Sequence, residues 1–179
     1  MADGPGYARA MQLHGRAVVL RPARADDVER LTAILAEPSV AAWWPAFDVE
    51  RVRTELVAER VDEEGFVIEN DGAVIGYLQI AEETDTDFRH ASIDLFLATD
   101  AQGRGLGPDA IRAAAIHLIE DRGHHRLTID PAADNARAIV AYAKLGFRPV
   151  GILRSYQLMA DGHWADALLM DLLAPELVR

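Results

Sequence analysis

Three glycines on alternate positions, Gly103, Gly105 and Gly107, follow an apolar run and a polar turn in L-F-L-A-T-D-A-Q-G-R-G-L-G-P, residues 95–108. No other stretch constrains the chain as tightly. The apolar run reads as a strand that ends there, and the residues beyond the glycines read as the start of a helix. Glycines leave the backbone N–H groups uncovered, and a helix start adds the positive end of its dipole, so the turn suits a phosphate or pyrophosphate. An ordinary strand-to-helix turn would carry the same letters. Two commoner phosphate motifs are excluded. A Walker loop ends in Gly-Lys-Ser/Thr, whereas Pro108, Asp109 and Ala110 follow here, and a dinucleotide turn counted from Gly103 would need a third glycine where Pro108 stands.

At 179 residues the chain is long enough for one sizeable core, and the expected organisation is a flexible tail over residues 1–14 and a single domain over 15–179. The formal net charge of -11, from 29 acidic and 18 basic residues, argues against a nucleic-acid partner held through phosphates. An acidic surface serves solubility equally well as attraction of a cationic substrate. An anion bound to such a chain needs local amides and nearby cations such as Arg104. No cysteine is present, which excludes disulfides and thiolate chemistry, and the six histidines lack ligand-like spacing, so no metal is expected. No apolar run approaches the roughly 18 residues that would span a membrane. The opening M-A-D-G-P-G-Y lacks the basic start and apolar core of a secretion signal, so a cytoplasmic protein is expected, monomeric or homodimeric.

Residues 16–21 read as a first strand. A helix follows from Asp26 or Asp27 to about Ala36, with Val28, Leu31, Ile34 and Leu35 on one face. The segment 40–48 holds Trp43, Trp44 and Phe47 around Pro45. These aromatics are either core or the wall of a cleft. A second helix is expected over 48–59, then two strands, 65–70 and 73–80, around Asp71-Gly72, a strong hairpin signal. The acidic run 82–89 reads as a solvated loop, and 92–97 as a strand interrupted by Asp94. A helix from the glycines to Gly123, a strand over 125–130, a helix from Asp134 or Asn135 to Lys144, and strands over 148–159 and 164–173 complete the chain. The alternation predicts an α/β (α+β) fold with a mixed, twisted sheet and helices on both faces.

Three pieces stand in a fixed order: S-I-D-L-F-L-A, then Q-G-R-G-L-G opening a helix, then D-P-A-A-D-N-A-R-A-I-V-A-Y-A-K-L-G-F at 130–147. Together they resemble the GNAT superfamily of acyl-CoA-dependent N-acyltransferases. The Gln/Arg-x-x-Gly-x-Gly/Ala pattern is met at Gln102, Gly105 and Gly107, and the later run at Asn135, Ala138, Tyr142, Lys144, Gly146 and Phe147. The resemblance spans residues 16–173. It implies a mostly antiparallel sheet of six to seven strands and acetyl-CoA as co-substrate. It also implies backbone amides of Gln102, Gly103, Arg104, Gly105, Leu106 and Gly107 on the pyrophosphate, Leu97 pairing with the pantetheine arm, Asn135 touching that arm, and Tyr142 as acid for the departing thiolate. From the residues themselves, Asn135 could equally be a helix cap and Tyr142 a buried aromatic.

Transfer to an amine requires a base for the ammonium proton. Asp94, three residues before Leu97 on the same strand, is the candidate; a structural hydrogen-bond acceptor is the other reading. At finer grain, I-D-x-x-L-A, Trp43-Trp44 and Asp130-Pro131 before Asn135 are similar to aminoglycoside 6'-N-acetyltransferases. That similarity implies Asp94 and Asp130 on the ammonium groups of a small cationic substrate and Trp43 or Trp44 against a sugar ring. The acid-rich insertion that some of those enzymes carry is short here. The D-G-H-W-x-D run, 161–166, fits relatives that acetylate protein N-termini or transfer acyl groups in siderophore synthesis as well. A silent acyl-CoA-binding module is a third reading, against which the presence of both Asp94 and Tyr142 argues.

Overall fold

Alternating apolar residues build eight strands into one sheet in the computed structural model, which describes residues 11–179. The strands are β1 (Leu13–His14), β2 (Val19–Pro22), β3 (Glu63–Asn70), β4 (Ala73–Glu83), β5 (His90–Leu97), β6 (Arg126–Ile129), β7 (Arg148–Leu158) and β8 (Trp164–Leu173). Their order is β1-β2-β3-β4-β5-β6-β8-β7. Every pairing is antiparallel except β5 with β6. The helices are α1 (Val28–Leu35), α2 (Pro38–Ala41), α3 (Val49–Arg51), α4 (Leu106–Ile116) and α5 (Ala136–Ala143). α3 runs on as a π-helical turn, Val52–Val57, and α4 as another, His117–Asp121.

The expected mixed, mostly antiparallel sheet is therefore present with eight strands rather than six to seven. The additional one is β1, where Leu13 and His14 pair with Leu20 and Val19 although the sequence reading placed them in a tail. Leu13 is buried, and that burial holds so short a strand. The remainder of the expected tail, residues 1–10, lies outside the described residues. The acidic run at 82–89 is also shorter as a loop than expected. β4 continues to Glu83 because Glu82 receives Arg122 (2.8 Å) and the buried His124 (2.5 Å). Pro38 both ends the first helix and opens α2, in keeping with proline's tolerance at the first helical position.

The two faces of the sheet carry separate cores. α4 covers Leu20, Ile68, Leu78, Ile93, Leu127 and Met170 with Ile111, Ala114 and Leu118, and Ile139 and Tyr142 of α5 pack against the same cluster. On the opposite face, Leu31, Ile34 and Leu56 pack on Val67, Tyr77 and Phe96. The Asp71-Gly72 turn has positive φ at both residues, 51° and 76°, the geometry of the tight hairpin that its letters indicate.

Two features of this frame create an opening. β5 pairs with β6 only at Ala91↔Leu127 and Ser92↔Thr128, so the strand from Ile93 to Leu97 has no neighbour on that side. Beneath the gap, α4 is anchored by Asp109, which is 6% exposed. Its carboxylate accepts the N–H groups of Arg16 (3.0 Å), Ala17 (2.8 Å) and Val18 (3.3 Å) and pairs with Arg112 (3.0 Å). A Cβ on Gly15 would stand 2.5 Å from that carboxylate, so only glycine allows the loop to approach so closely.

Candidate active site

The gap between β5 and β6 opens into a cleft of about 820 Å³ that passes through the sheet. On the α4 face it is lined by Gly103, Gly105, Gly107, Arg112, Asn135, Arg137, Tyr142 and Lys144, and on the other by Ser39, Val40, Trp43 and Trp44. The floor is the unpaired end of β5, Leu95–Leu97. Backbone groups alternate along a strand. Ala98 N–H donates to Ile75 on β4 (2.8 Å), so Leu97 turns its own groups toward the gap.

The glycine turn is built by backbone conformation. Gly103 and Gly105 have φ of 75° and 81°, and a Cβ on either would meet nothing within 4 Å, so the demand for glycine is conformational and not steric. Gly105 caps α4, whose first N–H groups lack intrahelical acceptors. Gln102 does more than present its amide. Its side chain donates to the Leu97 carbonyl (2.9 Å) and to Ser39 Oγ (3.2 Å) and accepts from Arg137 (2.7 Å), latching the turn to β5, α2 and α5. Thus the Leu97 carbonyl, one of the groups expected to pair with a ligand, already has a protein partner.

Two of the expected residues offer only their backbone to the turn. The Leu106 side chain is buried in the core, leaving its backbone alone to face the turn, and Arg104 is exposed outside the lining of the cleft. Three cations line the cleft: Lys144, which the sequence motif already includes, and Arg112 and Arg137, which the sequence reading did not single out. Arg112 Nε is buried with no protein partner. Arg137 and Lys144 lie within the run 130–147, but only the docking of α5 brings them to the opening.

Asn135 caps α5, its Oδ1 accepting from Ala138 N–H (3.2 Å), and also lines the cleft. Tyr142 packs against Phe147 with ring centroids 6.4 Å apart. Desolvation, followed by the charges of Asp94 and Asp130, raises its pKa, so the phenol keeps its proton. Trp44 meets Phe96 edge-on at 5.0 Å and belongs to the core as well as to the wall, while Trp43 lies more openly along the cleft.

Asp94 shares with Phe96 the face opposite α4, beside Gln79 of β4, whose amide donates to Glu63. Its side chain is exposed to solvent, yet the protein packed around its carboxyl, with the Asp130 and Glu63 charges adding, pushes that group up to about 7. Asp130 follows β6 on the same face, and loss of water raises its pKa too. Tyr156 of β7, absent from the sequence reading, lies near enough to Asp130 for each to shift the other's titration. The glycine turn and three cations thus line the cleft, and the carboxylates gather on the opposite face of the sheet, outside that lining. Among the described residues, no group of three or more His, Cys, Asp or Glu is placed to hold a metal, and no helix is long and apolar enough to cross a membrane.

A family model described as an acetyltransferase (GNAT) domain matches residues 17–148. The chain is 30% identical over 153 residues to the aminoglycoside N(6')-acetyltransferase type 1 of Klebsiella pneumoniae, covering 75% of this chain and 75% of that protein. To the spermidine N(1)-acetyltransferase of Escherichia coli strain K12 it is 24% identical over 158 residues, covering 86% of this chain and 84% of the relative. Among solved structures, Mycobacterium smegmatis RimJ in complex with CoA-disulfide has a TM-score of 0.79 at 30% identity, over 94% of this chain and 88% of that one. The curated relatives differ in the acceptor they name and agree in the transfer they perform. With the splayed β5–β6 pair, the glycine turn and the matched domain together, the chain belongs to the GNAT acetyltransferase family.

Proposed function

We propose that the protein transfers the acetyl group of acetyl-CoA to a primary amine of a small polycationic acceptor, with the 6'-amine of an aminoglycoside as the leading candidate. The observation that carries this reading is a division of charge about the β5–β6 gap: the carboxylates of Asp94, Asp130 and Glu63 act on one another on the face opposite α4, whereas the glycine turn, Arg112, Arg137 and Lys144 line the cleft. An ammonium-bearing acceptor suits the first and a pyrophosphate the second.

The residues present fit coenzyme A. Uncapped N–H groups of residues 103–107 suit its pyrophosphate, Arg112 Nε is buried without a partner, and the β5 edge from Ile93 to Leu97 is open to an extended arm. When bound, acetyl-CoA supplies the acetyl group as a thioester. Leu95 and Leu97 would orient the arm along β5, and Asn135 would meet it from the start of α5. Asp94 takes a proton from the acceptor's ammonium, directly or through water, freeing the nitrogen lone pair for attack. A carboxyl near 7 is balanced between accepting that proton and releasing it to solvent at neutral pH. Tyr142, protonated at Oη, would give that proton to the sulfur of the departing thiolate and regain one from the acetylated nitrogen, whose first proton Asp94 has taken. Trp43 gives an apolar wall for a ring, and Asp130 receives a further ammonium.

A second reading, a polyamine or another small-metabolite amine as acceptor, is favoured by the spermidine-acetylating relative, which matches over more of the chain than the aminoglycoside-acetylating one. The same acidic end would serve it. Release of free thiol from acetyl-CoA separates the two. A kanamycin-type drug with a 6'-amine should drive release, and its 6'-hydroxyl analogue should not. Turnover of spermidine with none on any aminoglycoside would replace the first reading with the second.

A further inference from the structure

The D-G-H-W-x-D run ends at Asp166, and the structure gives that residue work unrelated to the cofactor. β7 and β8 pair as Leu153↔Ala167 and then as Gln157↔Ala165, so Arg154, Ser155 and Tyr156 all stand opposite Asp166 alone. Such a bulge bends a strand and re-aims its side chains. Ser155 at its centre has φ of 48°, a left-handed conformation that a residue with a Cβ adopts only under constraint. The constraint is visible: Ser155 N–H donates to Asp166 Oδ1 at 2.7 Å.

Asp166 also grips the segment that follows Asp130. Its carbonyl accepts Ala133 N–H (2.9 Å), Ala132 bridges to Ala167, and Leu168 N–H donates to Pro131 (2.8 Å). One residue therefore joins the bulge that carries Tyr156 to the loop that carries Asp130, which brings the phenol and that carboxylate near enough to act on each other. Gln157, next along the bulge, reaches the Trp43 carbonyl at 3.5 Å, so the same irregularity borders the aromatic wall. Tyr156 is half exposed, leaving its ring open to a ligand.

We propose that Asp166 is a positioning residue which, by holding Ser155 in the bulge, keeps Tyr156 on Asp130, and that this phenol–carboxylate pair binds a second ammonium group of the acceptor. The site is distinct from the amine that is acetylated. The phenol fixes one carboxylate oxygen and leaves the other for the ammonium, and the ring face adds a cation–π contact. Acceptors with two amines, an aminosugar or a polyamine, are selected over singly charged ones. This inference rests on the cationic-acceptor reading above.

Binding is measured by calorimetry with kanamycin A and with spermidine, without acetyl transfer, on the full chain. Asp166→Ala should weaken the diamine that binds the parent at least about fivefold, the scale of one lost positioning hydrogen bond. Asp166→Asn, which retains an oxygen for Ser155 N–H, should stay within about twofold, and Ser155→Gly in the Asp166→Ala background should restore part of the loss, because glycine adopts the bulge conformation unaided. Coenzyme A affinity should not change in any of them, which separates positioning from misfolding. Equal binding by Asp166→Ala and parent overturns the proposal, as does a loss in Asp166→Asn as large as in Asp166→Ala, or a parallel fall in coenzyme A affinity. A parent that binds neither cation overturns it too. Thiol release driven only by a singly charged amine would instead mark failure of the cationic-acceptor reading.

Discussion

The two ends of the candidate site are made in different ways. At the α4 end the groups proposed to hold the cofactor are backbone amides, placed by consecutive residues from Leu97 to Gly107 whose conformation is set by two positive-φ glycines. At the proposed acceptor end the groups are side chains from separate segments: Trp43 before α3, Asp94 on β5, Asp130 after β6, Tyr156 in the β7 bulge. A backbone site tolerates change in its side chains and fails when a glycine is lost. A side-chain site tolerates backbone neighbours and fails when one carboxylate is lost. The first end therefore suits a constant ligand and the second an acceptor that varies among relatives, as the aminoglycoside and spermidine enzymes illustrate.

Substitutions at the two ends should separate accordingly. The largest effect is expected at the acceptor end: Asp94→Asn should lower kcat/KM for the amine by about 10²-fold, the usual loss for a general base, with acetyl-CoA affinity unchanged. Stability should move the other way. Because the folded-state pKa of Asp94 is raised, its charged form opposes folding, and that penalty grows as pH rises from the ordinary carboxylate range through about 7. Thermal melts should show Asp94→Asn more stable than the parent at pH 8, with the difference closing as pH falls toward 4.

Next in size is the anchor beneath the other end. Asp109→Ala strands three backbone N–H groups and Arg112, which should cost about 3 kcal/mol in denaturant melts. Gly105→Ala should raise the Kd for coenzyme A about tenfold, because the new Cβ resists the left-handed cap of α4 although it meets no neighbour. Amine binding measured separately should be unaffected. The smallest expected difference is between two arginines: Arg112→Ala should raise the KM for acetyl-CoA severalfold more than Arg104→Ala, whose side chain lies outside the cleft. If Arg104 proves the more damaging, the charge at the α4 end is supplied otherwise than the lining indicates.

What could be read in advance follows the same division. The glycine turn, the Asp71-Gly72 hairpin and the Asn135 cap are local events, each fixed by a few residues whose conformational preferences are strong. Asp94 stands out in the sequence because it interrupts an apolar strand, and the structure places it on β5 beside Gln79. Tyr156 does not stand out, since its aim depends on a register break opposite Asp166, and nothing in R-S-Y-Q marks a bulge. Arg112 and Arg137 look like ordinary surface charges on helices until α4 and α5 dock. β1 is two residues long, too short for alternation to register, and the ends of β3 and β4 at Glu63, Glu64, Glu82 and Glu83 look like loop because charge hides the pairing. There Glu63, Glu64 and Glu82 are held by Arg60, Arg122 and His124.

The central claim is that Asp94 accepts the acceptor's proton, and the pH dependence of kcat/KM for the amine addresses it most directly. Only the carboxylate form can act as base, so the rate should rise about tenfold per pH unit below the transition and level off as pH passes about 7. In Asp94→Asn that limb should vanish. A parent profile flat between about pH 5.5 and 8, or an identical rising limb in Asp94→Asn, would contradict the assignment.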